Sequence, residues 1–150
     1  MAQEPRSNFE ELMEYLQIHF MPAKAKPFDV ISSYAFTAAG TPERTIATFK
    51  VPQNQIGVIK WVGQDSDQPA VFNNSTWNLK INGVAVPSWA SVEDQKGSVA
   101  QPTPETIVLN ENDTVTLTCI LSTGTDITFG SGTPLVSGRL KGWYWPRGGK

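Results

Sequence analysis

The chain is predicted to be mainly β, an antiparallel β-sandwich or jelly-roll-like domain preceded by one N-terminal amphipathic α-helix. Three observations carry that expectation. From Phe28 onward apolar residues recur every second position in short runs separated by Gly, Pro and Asn turns, with no helical period between them. Threonine, whose branched carbon suits extended backbone, fills many of the alternate positions. Charged residues make up only 17% of the chain, and 11 Ser, 14 Thr, 8 Asn and 8 Gln take up the difference, giving a surface that hydrogen-bonds with little charge.

The helix is expected over Ser7–Phe20. Ser7 and Glu10 form a capping box, in which the hydroxyl accepts the Glu10 backbone N–H while the carboxylate reaches back. Phe9, Leu12, Met13, Leu16 and Phe20 recur at helical spacing, with Glu10, Glu11, Glu14 and Gln17 opposite them. Pro22 stops the helix, and Met21–Pro27 reads as an extended linker. This divides the chain into an arm and linker (1–27), a sandwich (28–146) and a short tail (147–150). The apolar stripe of the arm must be buried, either on its own sandwich or on a neighbouring subunit.

The strands follow in order. Phe28–Thr37 is the first, and Thr45–Val51 the second, with Ala47, Phe49 and Val51 on one side and Ile46, Thr48 and Lys50 on the other. Gln55–Gln64 is apolar on both faces, as in a strand that is covered twice or gives one face to a subunit contact. Trp77, Leu79 and Ile81 alternate with Asn78, Lys80 and Asn82, and Asn82-Gly83 is a strong hairpin signal leading into Val84–Val86. Ser88–Pro104 is a long irregular stretch containing Trp89, of the kind that is functional or packed on a neighbour. Thr106–Leu109 and Thr114–Leu121 come next, the latter with Val115, Leu117, Cys119 and Leu121 inward. Ser122–Pro134 is a Gly/Thr/Ser loop with Ile127-Thr128-Phe129 inside it. Leu135–Trp145 closes the domain, with Leu140, Gly142 and Tyr144 on one side and Arg139, Lys141, Trp143 and Trp145 on the other.

Composition excludes several functions. A net charge of −2 offers no electrostatic basis for nucleic-acid binding. The apolar runs are far shorter than the roughly 20 residues of a membrane span. One Cys makes no internal disulfide, and one Cys with one His makes no ordinary structural zinc site. The N-terminus lacks the apolar core of a secretory signal, so synthesis in a cytoplasm is expected. No phosphate-binding loop, dinucleotide fingerprint, zinc-protease motif or nucleophile elbow occurs. Asp65 and Asp67 alternate like calcium ligands but lack the downstream bidentate acid, so they read as a solvated turn. The acids Glu93, Asp94, Glu105, Glu111, Asp113 and Asp126 sit mostly in turns and make a poor glycosidase pair. The reading is therefore of a non-enzyme with no catalytic residues, no metal and no cofactor.

Five tryptophans are the most suggestive feature. Trp77 shares the phase of Leu79 and Ile81 and reads as core. Trp143 and Trp145 share a half-exposed phase with Arg139 and Lys141, Trp61 lies in the doubly apolar strand, and Trp89 lies in the long loop. With Phe9, Leu12, Met13 and Leu16 of the arm, these four tryptophans are the expected protein interface, a place where aromatic residues are enriched.

The segments IGVIKWVGQD, WNLKINGVAVPSW, PTPETIVLNENDTVTLTC and SGRLKGWYWP, within Thr45–Pro146, resemble a recurrent type of tailed-bacteriophage virion protein. The resemblance implies a jelly-roll-like structural module of the virion, made in the host cytoplasm. Such a module is expected to be a capsid decoration (cement) protein that stabilises capsomer contacts, or a small tail, collar or spike component. Its implied partners are the major capsid protein or other virion proteins, together with further copies of itself in a homo-oligomer, a trimer being favoured. The alternative is a carbohydrate- or receptor-binding jelly-roll module of a phage tail or spike.

Overall fold

The computed structural model describes residues 24–36, 42–121 and 135–149. Among them eight strands occur: β1 (Lys26–Ala35), β2 (Arg44–Lys50), β3 (Gln55–Ser66), β4 (Ser75–Ile81), β5 (Val84–Ala85), β6 (Thr103–Leu109), β7 (Thr114–Leu121) and β8 (Leu135–Pro146). They pair into two four-stranded sheets with all neighbours antiparallel. Sheet A has the order β1-β8-β3-β6 and sheet B the order β2-β7-β4-β5. The protein is thus mainly β, with the two sheets enclosing one apolar core as in a β-sandwich. The arm expected at Ser7–Phe20, with Phe9, Leu12, Met13 and Leu16, lies outside the described residues, as does the loop expected at Ser122–Pro134.

The core follows the alternation. From sheet B, Trp77 and Leu79 on β4 and Val115, Leu117, Cys119 and Leu121 on β7 are buried; from sheet A, Phe28, Ile59, Val62, Leu109, Val136 and Leu140 meet them. The Phe28 ring stacks on Phe49 across the sheets at 3.8 Å between centroids, and Tyr144 closes on Phe49 from β8 at 5.8 Å. The buried Trp77 indole donates from Nε1 to Ser75 Oγ at 2.9 Å, and that hydroxyl donates to the Phe72 carbonyl at 2.6 Å, so the one polar atom of the ring costs little to bury. Asn82-Gly83 makes the β4–β5 turn with φ of 52° and 85°, the left-handed pair that Asn and Gly tolerate.

Four differences from the sequence reading have physical causes. In β2 the register slips between Thr45 and Ala47, so Ile46 and Ala47 are both buried, although strict alternation placed them on opposite sides. In β3 a second slip between Ile59 and Trp61 reverses the inward phase. Ile59 points in before it, and Val62 and Gln64 point in after it, which is why the sequence looks apolar on both sides. Strand β1 begins at Lys26, inside the stretch read as linker, because Lys26 and Pro27 pair with Tyr144 and Trp143. A five-residue helix, α1 (Pro69–Asn73), started by Pro69 and burying Val71, joins β3 to β4.

The irregular stretch after β5 is firmly tied. Val92 and Trp77 exchange backbone hydrogen bonds at 2.8 Å in both directions. Asp65 accepts from Gln95 Nε2 at 3.2 Å and from the Val99 N–H at 2.9 Å, and Gln64 N–H donates to the Gly97 carbonyl at 2.8 Å. The backbone passes so close to Gly63 that a Cβ there would lie 2.5 Å from the Ser98 oxygen.

Replacing the enclosed Trp77 by Ala is expected to lower the free energy of unfolding by about 3–5 kcal/mol in a denaturant titration, because it removes a fully buried indole and leaves a cavity.

Candidate functional site

The two outer faces of the sandwich differ in chemistry. On sheet B, the outward positions pair Thr45 with Thr118, Thr48 with Thr116, Lys50 with Thr114, and Asn78 and Lys80 with Thr118 and Thr116. Glu43 lies across this polar face, taking a 2.7 Å ion pair from Lys80 and hydrogen bonds from Thr118 Oγ1 and Asn78 Nδ2. Those donors hold the Glu43 carboxyl below its ordinary value, the Lys80 hydrogen bond contributing most. This face satisfies itself.

Sheet A presents apolar and aromatic groups outward. One row across its four strands runs Val108, Val58, Trp143, Pro27, and the next runs Pro104, Trp61, Lys141, Asp29. Ile56 pairs with Trp145 at one end, and Ile31 with Arg139 at the other. Val108 is 69% exposed and Ile31 56%, and the three tryptophans are half-buried. Lys141 holds its ammonium 5.1 Å from the Trp61 ring centroid, a cation–π contact. Arg139 makes a paired contact with Asp29 at 2.8 and 2.6 Å and donates to the Val99 carbonyl at 2.9 Å, fastening the long loop to this face. The hydrogen bonding of Arg139 to Asp29, more than its charge, lowers the Asp29 pKa. Trp143 Nε1 is enclosed without an acceptor, an arrangement that costs about 1–3 kcal/mol.

Beside Trp61 the face opens into a groove of about 510 Å³ whose lining includes Lys60, Trp61, Pro104, Glu105 and Thr106. Lys60 is 7% exposed and donates to Thr106 Oγ1 at 3.0 Å. Glu105 Oε2 accepts from Trp89 Nε1 at 2.9 Å.

Of the residues expected at an interface, Trp61, Trp143 and Trp145 therefore share one outer face. Trp89 does not join them. Its ring is fully enclosed within this chain, its N–H is taken by Glu105, and the Lys96 ammonium sits 5.0 Å from its centroid. The loop position suggested exposure, but the loop folds back over the sandwich edge. Val58 and Ile56 lie in Gln55–Gln64, the strand read as giving one face to a subunit contact, whereas Val108 and Ile31 were missed, because an outward apolar residue in a strand has the same local pattern as an inward one.

Little else in the described residues is arranged for chemistry. No group of three or more metal-binding side chains occurs among them. Asp67 Oδ1 accepts the Leu135 N–H at 2.9 Å and Asp65 is engaged as above, so both acids pin backbone. Burial pushes the Cys119 thiol up to about 12, the opposite of an activated nucleophile. No known family model matches the chain, and no curated protein matches it in sequence.

Two outcomes are expected. Asp29 and Glu43 are held below their ordinary values of 3.8 and 4.5, so their contribution to stability is complete above that range and is lost as pH falls through the depressed folded-state values. Acid titration of the wild type followed by circular dichroism should therefore show a steeper loss of stability below about pH 5 than Glu43→Gln or Asp29→Asn does. Cys119 should resist iodoacetamide at pH 8 in the folded protein and react once it is denatured, as mass spectrometry will show.

Proposed function

We propose that the protein is a non-enzymatic structural component of a virion, a capsid decoration protein that works by burying the outer face of sheet A on other chains. The observation that carries this reading is the asymmetry of the sandwich: one face is threonine-rich and self-satisfied, the other displays Trp61, Trp143, Trp145, Val58, Val108 and Ile31 in adjacent rows. Monomeric soluble proteins rarely leave such a surface uncovered.

Strand order supports the finer fold reading. The orders β1-β8-β3-β6 and β2-β7-β4-β5 are those obtained by rolling an eight-stranded antiparallel hairpin into two Greek keys, the winding of a jelly roll, which recurs in viral capsid modules. That winding agrees with the resemblance of the strand motifs to tailed-phage virion proteins. In this reading the arm, with Phe9, Leu12, Met13 and Leu16, clamps a neighbouring subunit, and the protein is a homo-oligomer, with a trimer favoured, seated on the major capsid protein. Interfaces repeated over a shell resist internal pressure even when each is modest.

Mass spectrometry of purified particles of the phage encoding this chain should find it in many copies per particle. In sedimentation the wild type should run as an oligomer, and Val108→Lys with Ile31→Lys should shift it to monomer and weaken shell binding by about tenfold or more. Particles that lack the chain, or the lysine variants binding shells unchanged, would sink the proposal.

A further inference from the structure

The groove beside Trp61 comes from a fanning of sheet A. Between the inward Ile59 and the outward Trp61, β3 advances two residues while β8 advances one, from Gly142 to Lys141, and β6 advances three, from Ile107 to Pro104. Extra residues on successive strands splay them apart, and bulges of this kind commonly re-aim side chains at binding sites. Here the splay brings Lys60 and Trp61 from β3 and Pro104, Glu105 and Thr106 from β6 to the same opening.

We propose that this groove binds a neutral saccharide. Lys60 and Glu105 line it together, yet among the described residues neither makes an ion pair. Lys60 spends one N–H on Thr106 Oγ1, and Glu105 spends Oε2 on Trp89, which leaves ammonium donors and a carboxylate oxygen without protein partners. For a singly charged ligand the attraction of one of these groups is offset by the repulsion of the other, while a purely apolar ligand would strip water from both charges without replacing it. A hydroxyl both accepts and donates, so neighbouring hydroxyls on one ring satisfy the ammonium and the carboxylate together. Such a ring also offers a face of C–H groups to the indole of Trp61, whose position beside the groove is steadied by Lys141 from the β8 side. Hydroxyls for Lys60 and Glu105 and an apolar face for Trp61 are the surface of a pyranose. This site lies within one chain but shares Trp61 and Pro104 with the outer face of sheet A, so it is open where no other chain covers that face.

The test titrates the full-length protein with glucose, galactose, mannose and N-acetylglucosamine, read by amide chemical shifts. At least one sugar should give saturable shifts centred on Lys60, Trp61 and Thr103–Thr106, with a dissociation constant on the order of millimolar. Trp61→Ala should weaken it by about tenfold, and Glu105→Gln, which retains an oxygen for Trp89, should also weaken it. Trp145→Ala, at the far end of the face, should leave affinity unchanged. Glucuronate and glucosamine, carrying a negative and a positive charge, should bind more weakly than their neutral counterpart. Absence of binding by all four sugars, shifts centred elsewhere, tighter binding of a charged sugar, or full affinity in a folded Trp61→Ala protein would each overturn the assignment.

Discussion

The ladder between β3 and β8 is the constraint on which the rest of sheet A depends. These are the two longest strands in the described residues; they sit side by side in the middle of the sheet and carry β6 and β1 on their flanks. Their register determines which side chains enter the core. Because the side-chain period of a strand is two, a slip of one residue would exchange the inward and outward sets. The single break at Lys60 does this on purpose, turning Ile59 inward on one side and Val62 on the other while leaving Val58 and Trp61 facing out. Without it, one half of β3 would present its apolar residues to the wrong side.

That break also connects packing to surface chemistry. It splays β6 from β3, gives Lys60 its place beside Thr106, and opens the groove. The Glu105 that lines the groove is the acceptor for the enclosed Trp89, so the long loop, the core and the surface meet at one carboxylate. Arg139 and Asp65 hold the same loop from the other end through Val99. A stretch with little regular structure is kept in place by polar contacts to strands, as backbone without a ladder requires.

The two outer faces differ in how much apolar area they leave in solvent. On sheet B, threonines and the Glu43–Lys80 pair leave little to gain by covering the face. On sheet A, tryptophans and aliphatic residues lie in cross-strand rows, where area accumulates into a patch instead of scattered single residues. Burial of apolar area is a favourable, non-directional driving force, and Asp29, Arg139 and Lys141 are polar groups set among these rows.

Local chemistry made much of this protein legible from its amino acids alone. Strict alternation identified Thr114–Leu121 and the strand containing Trp77 and Leu79, Asn-Gly marked the β4–β5 turn, and Leu140 and Trp143 were assigned to opposite sides of β8, because in each case the side-chain period of two is undisturbed. Tertiary structure alone decided the rest. The slips at Ile46 and Lys60 reverse the period through contacts with neighbouring strands, which no window of sequence contains. Trp89 became core because its acceptor, Glu105, lies sixteen residues away on an edge strand. Trp61, Trp143 and Val108 became one surface only when β8, β3 and β6 were placed side by side, since cross-strand neighbours are set by pairing and not by distance along the chain.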